Sequence, residues 1–114
     1  MGALTVAAVV LLPFPFSDLS DAKVRPAIVL SAVGRADWIL CQITSNPYGD
    51  PAAQRIQDSD FQTGGLRQVS YVRPGKLFTA NTALITRDVG VLRALAFNLI
   101  LDAVVTLLQA NRLS

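Results

Sequence analysis

The chain has 114 residues and a net charge of +2, and 52% of its residues are hydrophobic while 16% are charged. This size predicts one domain spanning residues 1–114, and the composition excludes a disordered chain, a collagen-like repeat and a coiled coil. The absence of histidine excludes catalysis by Ser-His-Asp, Cys-His or paired-histidine groups, and it also excludes histidine-ligated zinc.

The first half of the chain predicts three strands. Residues 6–12 form a continuous apolar run that Pro13 ends, which indicates a buried strand followed by a loop over residues 13–24. A second strand is predicted at residues 27–31, and a third follows a short turn at residues 38–44. A long loop and then a tight turn between successive strands favour an antiparallel sheet over βαβ units.

The second half of the chain predicts shorter strands and one long helix. Residues 46–51 are rich in turn-forming residues and indicate a loop. Short strands are predicted at residues 55–58, at residues 68–73, where Pro74-Gly75 ends the strand, and at residues 84–86. From residue 92 to residue 111, apolar residues recur with helical periodicity on more than one face, which favours burial against a second subunit or a partner. The predicted fold class is α+β, mainly β.

Neither apolar end of the chain is predicted to be a membrane segment. Residues 3–12 have no preceding cation, and residues 95–108 are interrupted by polar side chains and fall short of the ~20 residues that span a bilayer. The single cysteine, Cys41, lies in an apolar run, so we expect a buried, inert thiol in a reducing cytoplasm. The sequence therefore predicts a soluble, cytoplasmic protein, and we expect neither a metal nor a cofactor.

Positive charge is concentrated between Asp60 and Asp88. Residues 61–87 contain three arginines, one lysine and no acidic residue, so their local charge is +4, whereas that of the whole chain is +2. Arginine can bind phosphates bidentately, and unpaired bases can stack on the aromatic side chains that interleave with these cations. The stretch indicates either a site for single-stranded nucleic acid or a solvated cationic rim around core aromatic residues.

Two shorter patterns place polar groups at the ends of strands. Lys23 and Arg25 stand between a long loop and an apolar strand, where the arginine could bind a phosphate or pair with an aspartate of the loop. Thr44 and Ser45 place two hydroxyls where a strand meets a loop. They could contact a ligand or simply cap the backbone at the strand end.

The order and spacing of these segments resemble the MazF/PemK family of toxins. The resemblance covers nearly the whole chain and is carried by VVLLPFPFSD at residues 9–18, KVRPAIVLS at residues 23–31, ILCQITS at residues 39–45, and Leu66, SYVRP and KLF within residues 66–78. Members of this family are endoribonucleases of type II toxin–antitoxin systems. The resemblance implies a sequence-specific, metal-independent enzyme that cleaves single-stranded mRNA and inhibits translation and growth until an antitoxin neutralises it.

The resemblance also implies an architecture and a set of partners. The expected fold is a small, twisted antiparallel sheet closed almost into an SH3-like barrel, as in MazF, PemK and CcdB, with a long C-terminal helix. The expected partners are single-stranded RNA, a cognate antitoxin protein and a second copy of the chain in a homodimer. DNA would be contacted only indirectly, through the antitoxin.

By resemblance, catalysis is assigned to Arg25 in the RP step and to Thr44 in the ITS step. The same resemblance, together with the charge and aromatic pattern, predicts a set of residues that contact RNA: Phe14, Phe16, Asp18, Lys23, Ser45, Tyr48, Ser70, Arg73 and Lys76.

Three positions depart from the family pattern. Many relatives have Gly-Asp where this chain has Ala7-Ala8, and some relatives have an aspartate where this chain has Gly75. Some relatives also use a histidine in the first loop, which this chain lacks. These departures motivate an alternative in which the chain is a catalytically silent relative that binds RNA or a partner without cutting. A toxin acting on another target, such as DNA gyrase, is a further alternative.

The implied reaction is attack of the ribose 2′-OH on its own phosphate, which leaves a 2′,3′-cyclic phosphate and a 5′-hydroxyl. Arg25 is suited to neutralise the charge that develops on the phosphorus oxygens, because a permanently charged group aimed at that charge is usually the largest catalytic contribution. Thr44 could donate a hydrogen bond to the same group, with help from Ser45. The acceptor of the 2′-OH proton is left open among Asp18, a water molecule and Arg25.

Overall fold

The computed structural model describes residues 4–14 and 23–114. One antiparallel sheet and one C-terminal helix dominate this part of the chain, which confirms the predicted fold class. The elements are β1 (Ala8–Pro13), β2 (Val24–Ala32), β3 (Asp37–Thr44), β4 (Gln54–Ile56), β5 (Phe61–Gly64), β6 (Ser70–Asn81), β7 (Arg87–Leu92) and α1 (Ala94–Gln109). The strand order in the sheet is β4-β6-β3-β2-β1-β7-β5.

Two hydrophobic clusters occupy opposite faces of this sheet. Along β1, Val9 belongs to the first cluster and Val10 to the second, as expected when alternate side chains of a strand point to opposite faces. The first cluster draws on all seven strands and on α1, so the sheet curls around it: Ala7, Val9, Ile28, Leu30, Cys41, Ile43, Ile56, Phe61, Val72, Leu92, Ile100 and Val104. The second cluster is built on the central strands: Ala8, Val10, Leu12, Phe14, Ala27, Val29, Leu40 and Ala80.

The first three strands lie close to where the sequence predicts them, although β1 begins at Ala8 rather than at residue 6 and β2 begins three residues earlier than predicted. β2 begins at Val24, so Pro26 lies inside the strand. Pro26 is paired with Leu11 of β1, whereas the pairing of β2 with β3 starts only at Ala27. The proline, which cannot donate a backbone hydrogen bond, therefore lies outside the segment of β2 that pairs on both sides.

The prediction that Pro74-Gly75 ends a strand is wrong. β6 continues through both residues, because its pairing with β3 jumps from Val72, opposite Ile43, to Leu77, opposite Cys41. Residues 73–76 thus face a single residue of β3 and form a four-residue bulge. Proline and glycine are tolerated at a bulge because its residues are released from the regular ladder of hydrogen bonds.

Three further boundaries differ from the sequence prediction. The strand predicted at residues 84–86 begins only at Arg87, after a 3-10 turn over Thr82–Leu84. The strand predicted at residues 55–58 is shorter, because Asp58 begins another 3-10 turn, and β5 is not predicted at all. The helix starts at Ala94 because Leu92 is still paired with Phe61 of β5. These differences concern pairings between distant segments, which local periodicity does not encode.

No helix among residues 4–14 and 23–114 is long and apolar enough to cross a membrane.

Candidate functional site

The register of β2 and β3 brings Arg25 and Thr44 to the same place. The pairing of β2 with β3 reaches as far as Ala27 and Gln42, and Arg25 and Thr44 each lie two residues beyond that pair on their own strands. A shift of two residues keeps each side chain on the same face of its strand. Both side chains line one cavity of about 610 Å³, which we call the Thr44 cavity.

The Thr44 hydroxyl is engaged with the loop that follows β3. Its Oγ1 accepts a hydrogen bond from the Asn46 N–H at 3.2 Å and lies 3.0 Å from the Asn46 carbonyl oxygen, to which it donates. The strand-end capping that the sequence left open as an alternative is therefore present. A hydroxyl can keep accepting from a fixed N–H while its own hydrogen rotates toward a ligand, so the cap holds the oxygen in place without using its donor permanently.

The wall of the Thr44 cavity is cationic. Arg25, Arg67 and Arg87 all line it, although they come from β2, the β5–β6 connection and β7. Ser45 and Ser70 also line this cavity, and the buried Ser70 hydroxyl donates to the Gln68 carbonyl at 3.0 Å. The long strands bring together cations that are separated by up to about sixty residues of sequence.

The bulge in β6 opens a second cavity of about 490 Å³ beside the first. We call it the Gln42 cavity, because Gln42 is the residue of β3 that faces the bulge. Arg25 and Tyr48 line both cavities, so the two are neighbours. The residues around the Gln42 cavity are Phe14, Arg25, Gln42, Tyr48, Arg73, Gly75, Lys76 and Leu77.

Side-chain contacts from the β3–β4 loop hold Arg73 in place. Its Nε donates to Asp50 Oδ2 at 3.1 Å, and its guanidinium lies over the Tyr48 ring, 5.7 Å from the centroid. Hydrogen bonds from the Ala52 backbone N–H and from Arg73 lower the pKa of Asp50 below its ordinary value of 3.8. The carboxylate is therefore ionised at neutral pH and serves as a partner of Arg73 rather than as a base.

The bulge is also fastened from inside the core. The Cys41 thiol donates a hydrogen bond to the Arg73 carbonyl oxygen at 2.8 Å. Burial is the main reason that the pKa of this thiol rises to about 12. The thiol therefore stays protonated at neutral pH and keeps its role as a donor, in agreement with the buried, inert cysteine expected from the sequence.

The remaining residues of the predicted RNA-contacting set lie in different environments. Phe14 is only 4% exposed, and its ring packs edge-on against Phe78, so it forms an apolar wall rather than an exposed stacking surface. Tyr48 is 67% exposed at the junction of the two cavities. Lys23 is exposed but lines neither cavity. Phe16 and Asp18 lie outside the described residues.

Four residues that the sequence did not single out as site residues belong to this region. Arg67 and Arg87 could have been chosen from the cationic stretch, and Gln42 stands out as a polar residue within the apolar run of β3. Asp50 gave no such signal, because aspartate is common in turns. Only the folded structure shows that its carboxylate reaches Arg73.

The charge of the site is strongly one-sided. Five cationic side chains line the two cavities, and none of the described lining residues is acidic: Arg25, Arg67, Arg73, Lys76 and Arg87. Within residues 4–14 and 23–114, no three His, Cys, Asp or Glu side chains are grouped as metal ligands would be. The arrangement is suited to bind a phosphate-containing anion through arginine.

The fold and this site together define the class: a small protein whose curled antiparallel sheet carries a cationic cleft suited to bind a polyanion. The chain belongs to the PemK-like, MazF-like toxins of type II toxin–antitoxin systems, since the model of that family matches residues 6–108. A comparison with curated protein sequences gave no significant match.

Several solved structures share the fold. An endoribonuclease in complex with its cognate antitoxin from a mycobacterial species is 16% identical over 97% of this chain and 100% of that chain, with a TM-score of 0.74. MazF from Deinococcus radiodurans is 17% identical over 96% of this chain and 99% of that chain, with a TM-score of 0.71. A second mycobacterial endoribonuclease is 21% identical over 96% and 94% of the two chains, with a TM-score of 0.69.

Proposed function

We propose that this protein is an endoribonuclease toxin that cleaves single-stranded RNA at preferred sequences. Membership of the PemK-like, MazF-like family supports this proposal, as does the fold shared with proteins described as endoribonucleases. The single observation that carries it is the position of Arg25, which lines both cavities and pairs with no carboxylate among the described residues. A guanidinium at this junction can contact a phosphate that lies in either cavity.

The reaction proposed for this site needs no external nucleophile. The ribose O2′ attacks the adjacent phosphorus, the P–O5′ bond breaks, and the products carry a 2′,3′-cyclic phosphate and a 5′-hydroxyl. Arg25 stabilises the negative charge that develops on the non-bridging oxygens, and the Thr44 hydroxyl donates to one of them. Ser45, beside Thr44 on the same cavity, assists in holding the phosphate.

Proton transfer in this reaction needs an acceptor for the 2′-OH proton and a donor for the departing O5′. The described residues that line the Thr44 cavity include no carboxylate, and Asp50 is committed to Arg73. Water in the open cavity therefore acts as the proton carrier, or Asp18 does so from outside the described residues. Because the charge is neutralised by arginine, we propose that cleavage requires neither a metal nor a cofactor.

The partners follow from the same site and from the helix. RNA lies along the two cavities, where Tyr48 offers a stacking surface and Lys76 a phosphate contact. A cognate antitoxin neutralises the toxin by placing an acidic, partly apolar segment in this cationic cleft, as suggested by the similar structures solved with antitoxins. The exposed apolar residues of α1, including Leu95 at 75%, support a homodimer. The protein acts in the cytoplasm.

The test is cleavage of a long single-stranded RNA by the purified protein in the presence of EDTA. We expect defined fragments that end in a 2′,3′-cyclic phosphate, and loss of at least about 10²-fold in rate for Arg25→Ala. Arg35→Ala is the matched control, because it removes the same charge from an exposed turn that lines neither cavity. Cleavage by Arg25→Ala at the wild-type rate would refute the assignment of Arg25.

A second function, RNA or partner binding without cleavage, is favoured by one observation. The Thr44 hydroxyl already bonds to the backbone of Asn46, as a purely structural cap would. Intact RNA after incubation with a protein that binds it would support this function. Intact RNA together with inhibition of DNA supercoiling would instead indicate a toxin of gyrase.

A further inference from the structure

Gln42 carries an amide that no described group uses. It lies near the C-terminal end of β3, half-buried, and its side chain makes no hydrogen bond with any part of residues 4–14 or 23–114. Other glutamines of the chain do have such bonds: the amide of Gln54 donates to the Ala52 carbonyl at 3.1 Å, and that of Gln57 to the Ser59 hydroxyl at 3.3 Å. The Gln42 amide instead lines a cavity.

The bulge in β6 is what leaves this amide accessible. Gln42 lies between Cys41 and Ile43, which are paired with Leu77 and Val72, so residues 73–76 form the bulge opposite Gln42. This separation of the two backbones opens a cavity of about 490 Å³, which is within the usual range for sites that bind small molecules.

The lining of this cavity has two different parts. Phe14 and Leu77 supply apolar surface, and Gln42 supplies a neutral polar group, whereas Arg25 and Lys76 supply positive charge. Phosphates are bound chiefly by the positive charges; an amide can also donate to them, but its carbonyl acceptor finds no partner on a phosphate. An amide offers an acceptor and two donors in one plane, which matches the edge of a nucleobase.

The cation–π contact of Arg73 with Tyr48 brings two planar groups to the same cavity. The guanidinium lies 5.7 Å from the ring centroid, and its Nε is held by Asp50. Unpaired bases of RNA stack on aromatic rings and on arginine planes. Because Asp50 offsets much of the charge of Arg73, this arginine is better suited to stacking than to the neutralisation of a phosphate.

We propose that the Gln42 cavity binds one unpaired nucleobase next to the scissile phosphate and that Gln42 determines which base is accepted. This inference rests on the proposed function for its substrate. The base is adjacent to the phosphate because Arg25 and Tyr48 line both cavities. A glutamine amide pairs best with an edge that presents an acceptor beside a donor, and adenine is the base most often bound in this way. The preferred base is therefore adenine.

The first experiment measures base preference during cleavage. A pool of RNAs randomised around the cleavage point is digested with wild-type protein, Gln42→Leu and Gln42→Glu, and the fragment ends are sequenced. We expect wild type to favour adenine at one position beside the cut, and Gln42→Leu to reduce that preference by about tenfold or more. Gln42→Glu should shift the preference toward cytosine, whose exocyclic amine donates to a carboxylate.

The carboxylate introduced by Gln42→Glu should lower cleavage of all RNAs in this cationic site. The experiment therefore compares the ratios of cleavage between bases and not the absolute rates. Gln62→Leu is the matched control, since Gln62 is exposed on β5 and lines neither cavity. We expect it to leave the base ratios unchanged. Base preferences that are the same in wild type and both Gln42 variants would overturn the inference while leaving the proposed nuclease intact.

The second experiment does not depend on cleavage. Fluorescence anisotropy gives the affinity of each protein for 2′-O-methyl hexanucleotides, which lack the attacking hydroxyl and differ in a single base. We expect wild type to bind one adenine-containing series most tightly and Gln42→Leu to lose most of that discrimination. If wild type cleaves no RNA, the proposed function fails, and this measurement alone decides the inference. Equal affinities for all four bases in wild type would overturn it.

Discussion

The two halves of the site are held by different means. Arg25 is held by the pairing of its backbone with Leu12 of β1, and Thr44 by pairing with Tyr71 of β6, and Arg25 makes no ion pair with any described residue. Arg73 stands on the bulge of β6, where a carboxylate, an aromatic ring and a buried thiol surround it.

The contrast shows how one sheet can produce both a free cation and a fixed cation. Where the ladder is regular, backbone hydrogen bonds define the position of the chain, and no carboxylate among the described residues holds the side chain of Arg25. Where the ladder is interrupted, side-chain contacts must replace the missing backbone bonds, so Arg73 is used to hold the structure. Substitutions on the two halves should therefore have different consequences.

The largest expected effect concerns the reactivity of Cys41, whose hydrogen bond to the Arg73 carbonyl holds the bulge against the core. Because the Cys41 side chain is fully buried and its pKa is raised to about 12, the thiol should react with a disulfide reagent at pH 8 at least about 10³-fold more slowly than a free thiol, chiefly because the reagent cannot reach it. Thiol labelling measured by absorbance checks this, with the urea-unfolded protein as control. Rapid labelling of the native protein would show that the bulge opens readily and would remove the contrast.

Arg25→Ala and Arg73→Ala should change different properties of the protein, the cleavage rate in the first case and the thermal stability in the second. Arg25→Ala should slow RNA cleavage by about 10²–10³-fold with little change in Tm, because we propose that this arginine stabilises charge in the reaction and because it makes no ion pair with a described residue. Arg73→Ala should lower Tm, because it removes the contacts with Asp50 and Tyr48. Cleavage rates and thermal unfolding of both variants provide the comparison. Equal losses of Tm would contradict the division between a free and a fixed cation.

Thr44 is expected to contribute both to the stability of the fold and to the proposed reaction. Thr44→Val should slow cleavage by about 10²-fold, and it should lower the free energy of unfolding by about 1 kcal/mol because the Asn46 N–H loses its acceptor. Thr44→Ser keeps the hydroxyl and should retain most of both properties. Kinetics and urea unfolding separate the two effects. If Thr44→Val loses stability but cleaves RNA normally, the hydroxyl is only a cap.

Ala7 offers a test at the start of the regular half. Its φ of 71° is in the left-handed region, where β-carbon crowding disfavours alanine, and its N–H and carbonyl are bonded to Val29 and Leu92. Ala7→Gly should therefore raise the free energy of unfolding by about 0.5–1 kcal/mol. Ala32→Gly in β2, which has an ordinary strand backbone, should instead lower it. Urea unfolding of both variants distinguishes relief of strain from a general effect of glycine.

The smallest effect concerns pH and the Asp50–Arg73 pair. Because the pKa of Asp50 is lowered by its Ala52 and Arg73 contacts, the stability it contributes is present above pH 3.8 and is lost as the pH falls through and below that value. Asp50→Asn should be less stable than wild type at pH 7 by less than about 1 kcal/mol, and the two should converge in acid. Unfolding at several pH values checks this. A constant difference at all pH values would show that charge is not the cause.

Much of the fold was predictable because it depends on local patterns. The apolar runs at β1, β2 and β3 and the helical periodicity of α1 identify these elements from their own residues. β5 and the continuation of β6 past Pro74 were not predictable, because neither has a local signal that outweighs its glycine or proline. Their strand character comes from partners elsewhere in the chain, such as β7 for β5.

The residues of the candidate site can likewise be separated into those that the sequence could indicate and those that only the structure shows. Arg25 and Thr44 could be chosen from the sequence, because each adjoins an apolar strand within a distinctive motif. The apolar wall formed by Phe14 could not, since aromatic residues in a loop sequence are equally compatible with burial and with exposure. Asp50 could not be chosen either, because its significance depends on a side chain 23 residues further along.

The sequence by itself determined the antiparallel mainly-β class and the family, and it supplied the arginine and the hydroxyl that we propose for the reaction, because all of these depend on short-range order and spacing. Only the tertiary structure decided that residues 73–76 bulge away from Gln42, that a cavity opens there, and that Asp50 and Cys41 hold its rim. The physical reason is that strand register depends on how side chains pack on both faces of the whole sheet. No single segment contains that information.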